Sequence, residues 1–527
     1  MNNIELTRVV GCNFHDTLDR MQSHKVRYQI LRHIHESNFV LPTFDKVKND
    51  DSVDFGTTIV PFYADIRGIE ASGQGDTGFM GATVLEPHRG FHEDPVAVLD
   101  FASLYPSIIM AHNLSHDTLL KSEDHARELG VAYTKSPNGY FWVKSEVQVG
   151  ILPAICENLL AARKRAKAQM KQADNDFDRA VLDGKQLALK VCCNSVYGFC
   201  GALKGSLPCI FVSASTTAFG RDMIYDSKKF VEDHYDATVV YGDTDSIFIK
   251  FPNNLDLRQT YNLAIEVESH INGPDGIFNK PVVLEYEKVF VNMLMLAKKR
   301  YCAMKYDTPD KSGKLDYKGL ELARRDNCQL AKNTMKMYLD ELIVNGHPVD
   351  ALRSVLNNIN KMMSGALDID EYVVTKALTK TNYVNAQIHV NLMQRIKSRA
   401  PGTEPLLGDR IPYVVVKRNN KPLADRGEDP NYVIEQNIPL DYMWYLEKQI
   451  VGPMTRLIEP MAGKANTRLF FERAMPRAQW MGPNGTLVNG EWLPPTRAVV
   501  EPPKKQQRKG KRKMPEQKNK LTAYFSS

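Results

Sequence analysis

Apolar and polar positions along this chain change period from block to block. Residues 18–36, LDRMQSHKVRYQILRHIHE, place apolar side chains at helical spacing and predict an amphipathic helix. From Phe55 to Val98 the apolar runs shorten between Gly and Pro, which predicts short strands. PVAVLDF, residues 95–101, reads as a buried strand interrupted near its end by Asp100. Residues 153–200 are strongly helical around a polar break at Asp174, Asn175 and Asp176, a pattern for two helices folded back on each other. Strand character returns over 236–251. Residues 318–460 read as mostly helical, interrupted by the strand-like RIPYVVVK at 410–417, and the pattern weakens after Gly463. No internal repeat is present. The sequence of blocks predicts an α+β core with helical insertions.

Charge inside an apolar strand is unusual, and VVYGDTDSIFIK (239–250) carries two aspartates. On an extended backbone Asp243 and Asp245 point to the same side, because strands repeat every two residues. Gly242 is expected to let the chain turn tightly beside them. With Asp100 at another strand end, three carboxylates converging there need cations to stay ionised. Two Mg²⁺ ions about 3.5–4 Å apart are the usual solution in phosphoryl transfer. A plain turn also accounts for Gly-Asp-Thr-Asp, although it does not require the apolar runs on both sides.

The helical block holds the matching cations. Arg163 and Lys167 share a helix face at i, i+4, as do Lys190, Asn194 and Tyr197 on the second helix. If the chain reverses near Asn175, an antiparallel hairpin brings Arg163 beside Lys190. Cations and an amide on facing helices form a triphosphate clamp; the other reading is a solvated helix face.

Composition adds less. The chain has 527 residues, 43% hydrophobic and 25% charged, which suits a globular protein with several domains. No apolar run reaches membrane-spanning length, and the first twenty residues lack the order of a secretory signal, so an intracellular protein without membrane contact is expected. Eight cysteines show no zinc-site spacing and no disulfide framework; reduced core cysteines are expected. The formal charge of +6 sits in the tail: residues 501–527 hold nine Lys/Arg against two Asp/Glu and read as disordered.

Three segments then carry a resemblance. DFASLYPSII (100–109), KVCCNSVYGF (190–199) and YGDTDSIF (241–248) resemble, in order, the A, B and C motifs of family B DNA polymerases. ARKRAKAQM (162–170) resembles the first fingers helix, and KKRY (298–301) and KGLELARRDNC (318–328) two further polymerase blocks. LDGKQLALK, GDRIPYVV and EQNIPLDYMWYLEKQ are closest to the eukaryotic delta-type branch and its large-DNA-virus relatives. The resemblance covers roughly residues 5 to 460. It implies a right-hand fold with an antiparallel palm sheet, helical-hairpin fingers and a mostly helical thumb. On that pattern 1–54 is a connecting segment, 55–152 and 201–320 are palm, 153–200 fingers, 321–465 thumb and 466–527 a C-terminal extension. It also implies template-directed addition of dNTPs to a primer 3′ end in DNA replication, in the nucleus or at a site of viral replication.

Residue by residue, the resemblance makes Asp100 and Asp245 ligands of both Mg²⁺ ions, with the Phe101 carbonyl as a further ligand and Asp243 in support. Arg163, Lys190 and Asn194 match triphosphate-binding positions and Lys167 a weaker one. Tyr105 matches a gate that excludes ribonucleotides, and Tyr197 lies under the nascent base pair. Lys298, Lys299, Arg300 and Tyr301 would grip the primer–template DNA. Arg324 and Arg325, with Asp326, match a contact near the duplex or a structural ion pair. Glu287 is placed near the metal site.

Departures matter too. The acidic motifs of a 3′–5′ exonuclease are missing, so editing is not expected from this sequence; it would come from a separate exonuclease-bearing chain if the gene is split. No cysteine follows Cys328, so no zinc or iron–sulfur cluster is expected. Leu521, Tyr524 and Phe525 have the spacing of a one-turn plug and resemble a sliding-clamp-binding peptide, with Lys518 where a glutamine is usual. KKQQRKGKRK (504–513) reads as a nuclear import signal or a DNA contact. A catalytically inactive DNA-binding scaffold is the alternative function; intact Asp100, Asp245, Lys190 and Asn194 argue against it.

Overall fold

The computed structural model describes residues 2–36, 79–202, 207–252, 254–380, 383–418, 420–474, 486–488 and 491–493. The strands expected before residue 79 and the basic tail with Leu521, Tyr524 and Phe525 lie outside the described residues. The chain divides into two compact units: 1–88, 94–291 and 305–313 form the first, and 89–93, 292–304 and 314–527 the second.

The first unit is built on an antiparallel sheet. The strand Val96–Phe101 pairs with Ser246–Lys250 on one side and with the start of Leu284–Ala297 on the other; Ser246–Lys250 also pairs with Thr238–Asp243. Val96 to Leu99 are at most 1% exposed. Successive strand residues point to opposite faces, so burial of all four means that both faces of the strand are covered; the helix Leu257–Ile271 packs on this strand and Ile210–His234 on its neighbours. Asp100 departs from that run and sits at the strand's rim, half-buried.

The expected helical hairpin forms as Ile151–Lys171 and Asp176–Cys200. Asn175 sets the reversal by accepting the Asp178 N–H at 2.8 Å as an N-cap. The other end is capped by a distant segment. Gly150, Ile151 and Leu152 donate their N–H groups to Asn113 Oδ1, Asp117 Oδ1 and Ser115 Oγ. These side chains satisfy the orphan donors of the first turn. The amphipathic stretch 18–36 is not one helix: it breaks between Phe14–Asp19 and Gln22–Glu36, where Arg20 is extended and closes the first helix.

The second unit is mostly helical, with Gln329–Leu339, Pro348–Met363, Ile388–Arg399 and Gly452–Ala474 as its longer helices. A three-stranded sheet, Val374–Ala377, Arg410–Val415 and Gly427–Glu428, accompanies them. Only the central strand is legible in the sequence pattern; its two partners are too short to show a period. Gly463 adopts φ 78°, ψ 160° inside the last helix, where the sequence pattern weakens. All eight cysteines are buried and unpaired. No helix among the described residues is long and apolar enough to cross a membrane.

Candidate active site

The carboxylates are positioned by the sheet. Asp100 lies opposite Ser246 on one neighbour and Glu285 on the other. Asp243 and Ser246 pair, so Thr244 and Asp245 form a two-residue hairpin turn. The extended-strand reading of Asp243 and Asp245 is therefore corrected: Asp245 belongs to the turn. It is fixed there by its carbonyl, which accepts the Phe101 N–H at 2.7 Å. Thr244 takes the positive φ of the turn, 61°, and its N–H bonds Thr83 O. Gly242 is not the hinge either. A Cβ there would meet Leu85 Cδ1 at 2.8 Å, so the residue is small because a neighbouring segment crosses it closely. That approach is sealed by the Leu85 N–H bonding Gly242 O at 2.9 Å.

Asp100, Asp245, Arg163, Lys167, Lys190, Asn194 and Tyr105 line one open cleft of about 880 Å³, together with the Phe101–Leu104 segment. Asp243 is not among its lining residues; its carboxylate accepts from Tyr241 Oη and Thr244 Oγ1. Among the described residues no side chain donates to the Asp100 carboxylate. Burial, then the charges of Asp245 and Glu287, push its pKa from 3.8 to about 7, with Lys288 and Lys190 opposing. Glu287 reaches this environment through a β-bulge. Val98 faces Lys288 and Leu99 faces Tyr286, which leaves Glu287 as the extra residue. Lys288 then pairs with Glu287 at 3.0 Å.

Across the cleft the cations crowd one another. Burial, then Arg163 and Lys190, hold the Lys167 ammonium below its ordinary pKa. Among the described residues, the buried Arg163 Nε has no hydrogen-bond partner. The floor between acids and cations is the start of the helix Leu104–Ala111. Its N-cap, Ser103, has φ 53° and makes no side-chain cap. Of the first turn, Pro106 has no N–H and the Ser107 N–H bonds Ser103 O at 3.0 Å, which leaves those of Leu104 and Tyr105 at the cleft end of the helix. The Tyr105 ring lies 4.5 Å from that of Tyr197 at 43°, and burial lifts its hydroxyl pKa to about 12.

The other expected contacts lie in the second unit. Lys298 and Lys299 are exposed on the turn between Leu284–Ala297 and Arg300–Tyr306. Arg300 is paired with Glu321, and Tyr301 is buried. Arg324, Arg325 and Asp326 are all exposed. Sequence reasoning passed over Glu285, Lys164 and Thr244, which also line the cleft. Glu285 was within reach, since LEYEK repeats an acid at strand period; Thr244 carried no signal.

Comparison with known proteins supplies the family context. The family model for DNA polymerase family B matches residues 12–461. The DNA polymerase delta catalytic subunit of Oryza sativa subsp. japonica is 44% identical over 482 residues, 89% of this chain and 41% of that protein. The Candida albicans protein of the same name is 38% identical, covering 89% and 43%. The chain spans about two fifths of the length of these curated relatives. The structure of the family B DNA polymerase from the hyperthermophilic archaeon Pyrobaculum calidifontis superposes with a TM-score of 0.62 at 25% identity, over 87% of this chain and 53% of that one.

Proposed function

The chain belongs to DNA polymerase family B, and we propose that it adds deoxynucleotides from dNTPs to a primer 3′ end on a DNA template. The observation that carries this reading is the single cleft that holds Asp100 and Asp245 against Arg163, Lys190 and Asn194. We assign the sheet as palm, 153–200 as fingers and 321–465 as thumb.

The charged donors suit hard divalent cations: the carboxylates of Asp100, Asp245 and Glu285 line the cleft with main-chain oxygens such as that of Phe101. Among the described residues no three His, Cys, Asp or Glu side chains gather closely enough to hold an ion alone. The remaining positions then fall to phosphate oxygens and water, the habit of Mg²⁺. Bound ions would ease deprotonation of the primer 3′-OH and neutralise charge at the α-phosphate and leaving pyrophosphate.

The rest is the work of the chain. Arg163, Lys190 and Asn194, with Lys167 behind them, bind the triphosphate. The Leu104 and Tyr105 N–H groups, at the start of the helix that lines the cleft, add donors for the same charge. Tyr105, braced by Tyr197, lies under the sugar and leaves no room for a 2′-OH. Asp243 steadies the turn that carries Asp245. Lys298 and Lys299 contact the phosphate backbone near the primer end, with Arg324 and Arg325 nearer the duplex. The clamp-binding tail, a separate exonuclease-bearing chain and a nuclear or viral replication site remain part of this proposal.

Primer extension with Mg²⁺ and dNTPs tests it. Asp245→Asn removes a contribution of several kcal/mol, so extension falls roughly 10³-fold or more while primer–template binding is kept. Extension at the parental rate would overturn the metal assignment, and no extension by the parental chain would leave a DNA-binding scaffold.

A further inference from the structure

A carboxylate is out of place on a surface meant for phosphate. Glu321 nevertheless sits at the centre of the basic turn region of the second unit, its side chain 13% exposed. Arg300 Nη2 donates to both its oxygens, at 3.0 and 3.1 Å, and Arg456 Nη2 to one at 2.6 Å. Asn327 Nδ2 holds its backbone carbonyl at 3.0 Å. Burial opposes ionisation, but Arg456 and Arg300 outweigh it and keep the carboxyl below the ordinary value.

These bonds converge on the Lys298–Lys299 turn. Lys299 has φ 61°. Gly319 backs it closely: a Cβ there would lie 2.2 Å from Lys299 O, and its own φ is +64°. Arg300 Nε donates to Gly319 O at 3.2 Å, which ties the turn to the segment that carries Glu321.

We propose that Glu321 is a positioning residue for nucleic-acid binding, locking Arg300 and Arg456 so that the turn presents Lys298 and Lys299 to a phosphate backbone. The proposal rests on the reading that these lysines contact DNA. It makes a prediction opposite in sign to simple charge counting. Removing a negative charge beside two lysines strengthens DNA binding if only the field matters. If geometry matters, binding weakens and its salt dependence becomes shallower.

The test measures anisotropy of a labelled primer–template duplex against the full chain over a salt series, with thermal unfolding as the check on folding. Lys298→Ala and Lys299→Ala should each flatten the log–log salt slope by about one. Glu321→Gln should flatten it in the same direction and weaken binding. Glu321→Asp, which keeps the charge and the gross fold but shortens the reach to both arginines, should do so partially. A purely structural role would lower the unfolding temperature without moving the slope, and would overturn the proposal. Lysine variants that flatten the slope beside a Glu321→Gln variant that binds as well or better would also overturn it, leaving the DNA-contact reading intact. Lysine variants without effect would remove that reading and the proposal together.

Discussion

Asp100 and Glu428 are two acids in two parts of the molecule, and their surroundings are opposites. Glu428 is wholly buried, 0% exposed. Arg399 grips it with two bonds at 2.9 and 2.8 Å, Arg418 adds one at 2.8 Å, and the Asp429 N–H a fourth at 3.0 Å. Burial opposes its charge, but these donors prevail and hold its carboxyl below the usual value. Among the described residues Asp100 has no such donor, and burial beside Asp245 lifts it to about 7. The cations separate the sites less sharply: Arg399 also stacks on Tyr432 at 3.8 Å, but among the described residues a buried Nε without a hydrogen-bond partner occurs both on Arg163 in the cleft and on Arg395 beside Glu428. A buried charge that is satisfied serves the fold; one left unsatisfied beside a cleft is held for a ligand.

Exchanging each acid for its amide breaks the comparison most directly. Asp100→Asn should cut primer extension roughly 10³-fold or more, yet it should not destabilise the protein. In EDTA the folded state holds the Asp100 proton up to about pH 7, while the unfolded chain releases it near 3.8. Folded protein therefore binds more protons across that window, and stability falls as pH rises through it. The Asn variant lacks this loss. Its melting temperature should exceed the parent's at pH 8 and match it near pH 4. A lower melting temperature at pH 8 would show that Asp100 is a structural acid after all.

Glu428→Gln should do the reverse. Arg399, Arg418 and Arg395, whose Nε lies 3.8 Å from the carboxylate, lose their counter-charge, a cost of about 3–5 kcal/mol for a broken buried ion pair. Activity per folded molecule should persist. Because the folded pKa is depressed, this stabilisation is present above the unfolded value of about 4.3 and is lost as pH falls through the folded one. Denaturant midpoints across an acid series should show a steep limb for the parent and a flat one for the variant. A variant as stable as the parent at pH 7 would mean the arginines are held by other partners.

The contrast also marks what the sequence could reveal. Asp100 is visible because a charge breaks an apolar run, and the hairpin because helical period runs to both sides of a polar break. Glu428 is invisible: its meaning depends on Arg399 and Arg418, which reach it from a separate helix and from beyond a neighbouring strand. Glu287 is legible only through the resemblance, not through its own pattern, because its place beside Asp100 comes from a bulge between strands far apart in sequence. Gly242 misled for a related reason. Glycine beside two aspartates suggests a turn, but here it answers to a tertiary neighbour, Leu85. Local period is written in the chain, whereas register and close approach are decided by partners.

A finer test concerns the cleft's selectivity. Tyr105→Ala removes the ring packed against Tyr197 and should admit ribonucleotides. Their kcat/KM relative to dNTPs should rise by at least about tenfold, the range for losing shape exclusion in a pocket. Unchanged discrimination would move the gate elsewhere. No comparable effect is expected from Tyr432→Ala beside Glu428, which should alter stability alone.

The smallest effect lies in the backbone. Ser103 and Thr244 both line the cleft with positive φ, while none of Arg399, Arg418 or Glu428 shares that conformation. For a β-branched residue such as Thr244 a left-handed conformation costs about 1–2 kcal/mol. Glycine adopts it freely but loses about 0.5–1 kcal/mol through its looser unfolded chain. Thr244→Gly should therefore stabilise the protein by about 0–1.5 kcal/mol, the difference of those terms. It should also slow extension, because the turn that fixes Asp245 gains freedom. Denaturation midpoints and single-turnover rates read the two effects separately. If stability drops instead, the Thr244 Oγ1 bond to Asp243 at 3.2 Å outweighs the strain, and the turn resembles the Glu428 network more than it resembles the open carboxylate of Asp100.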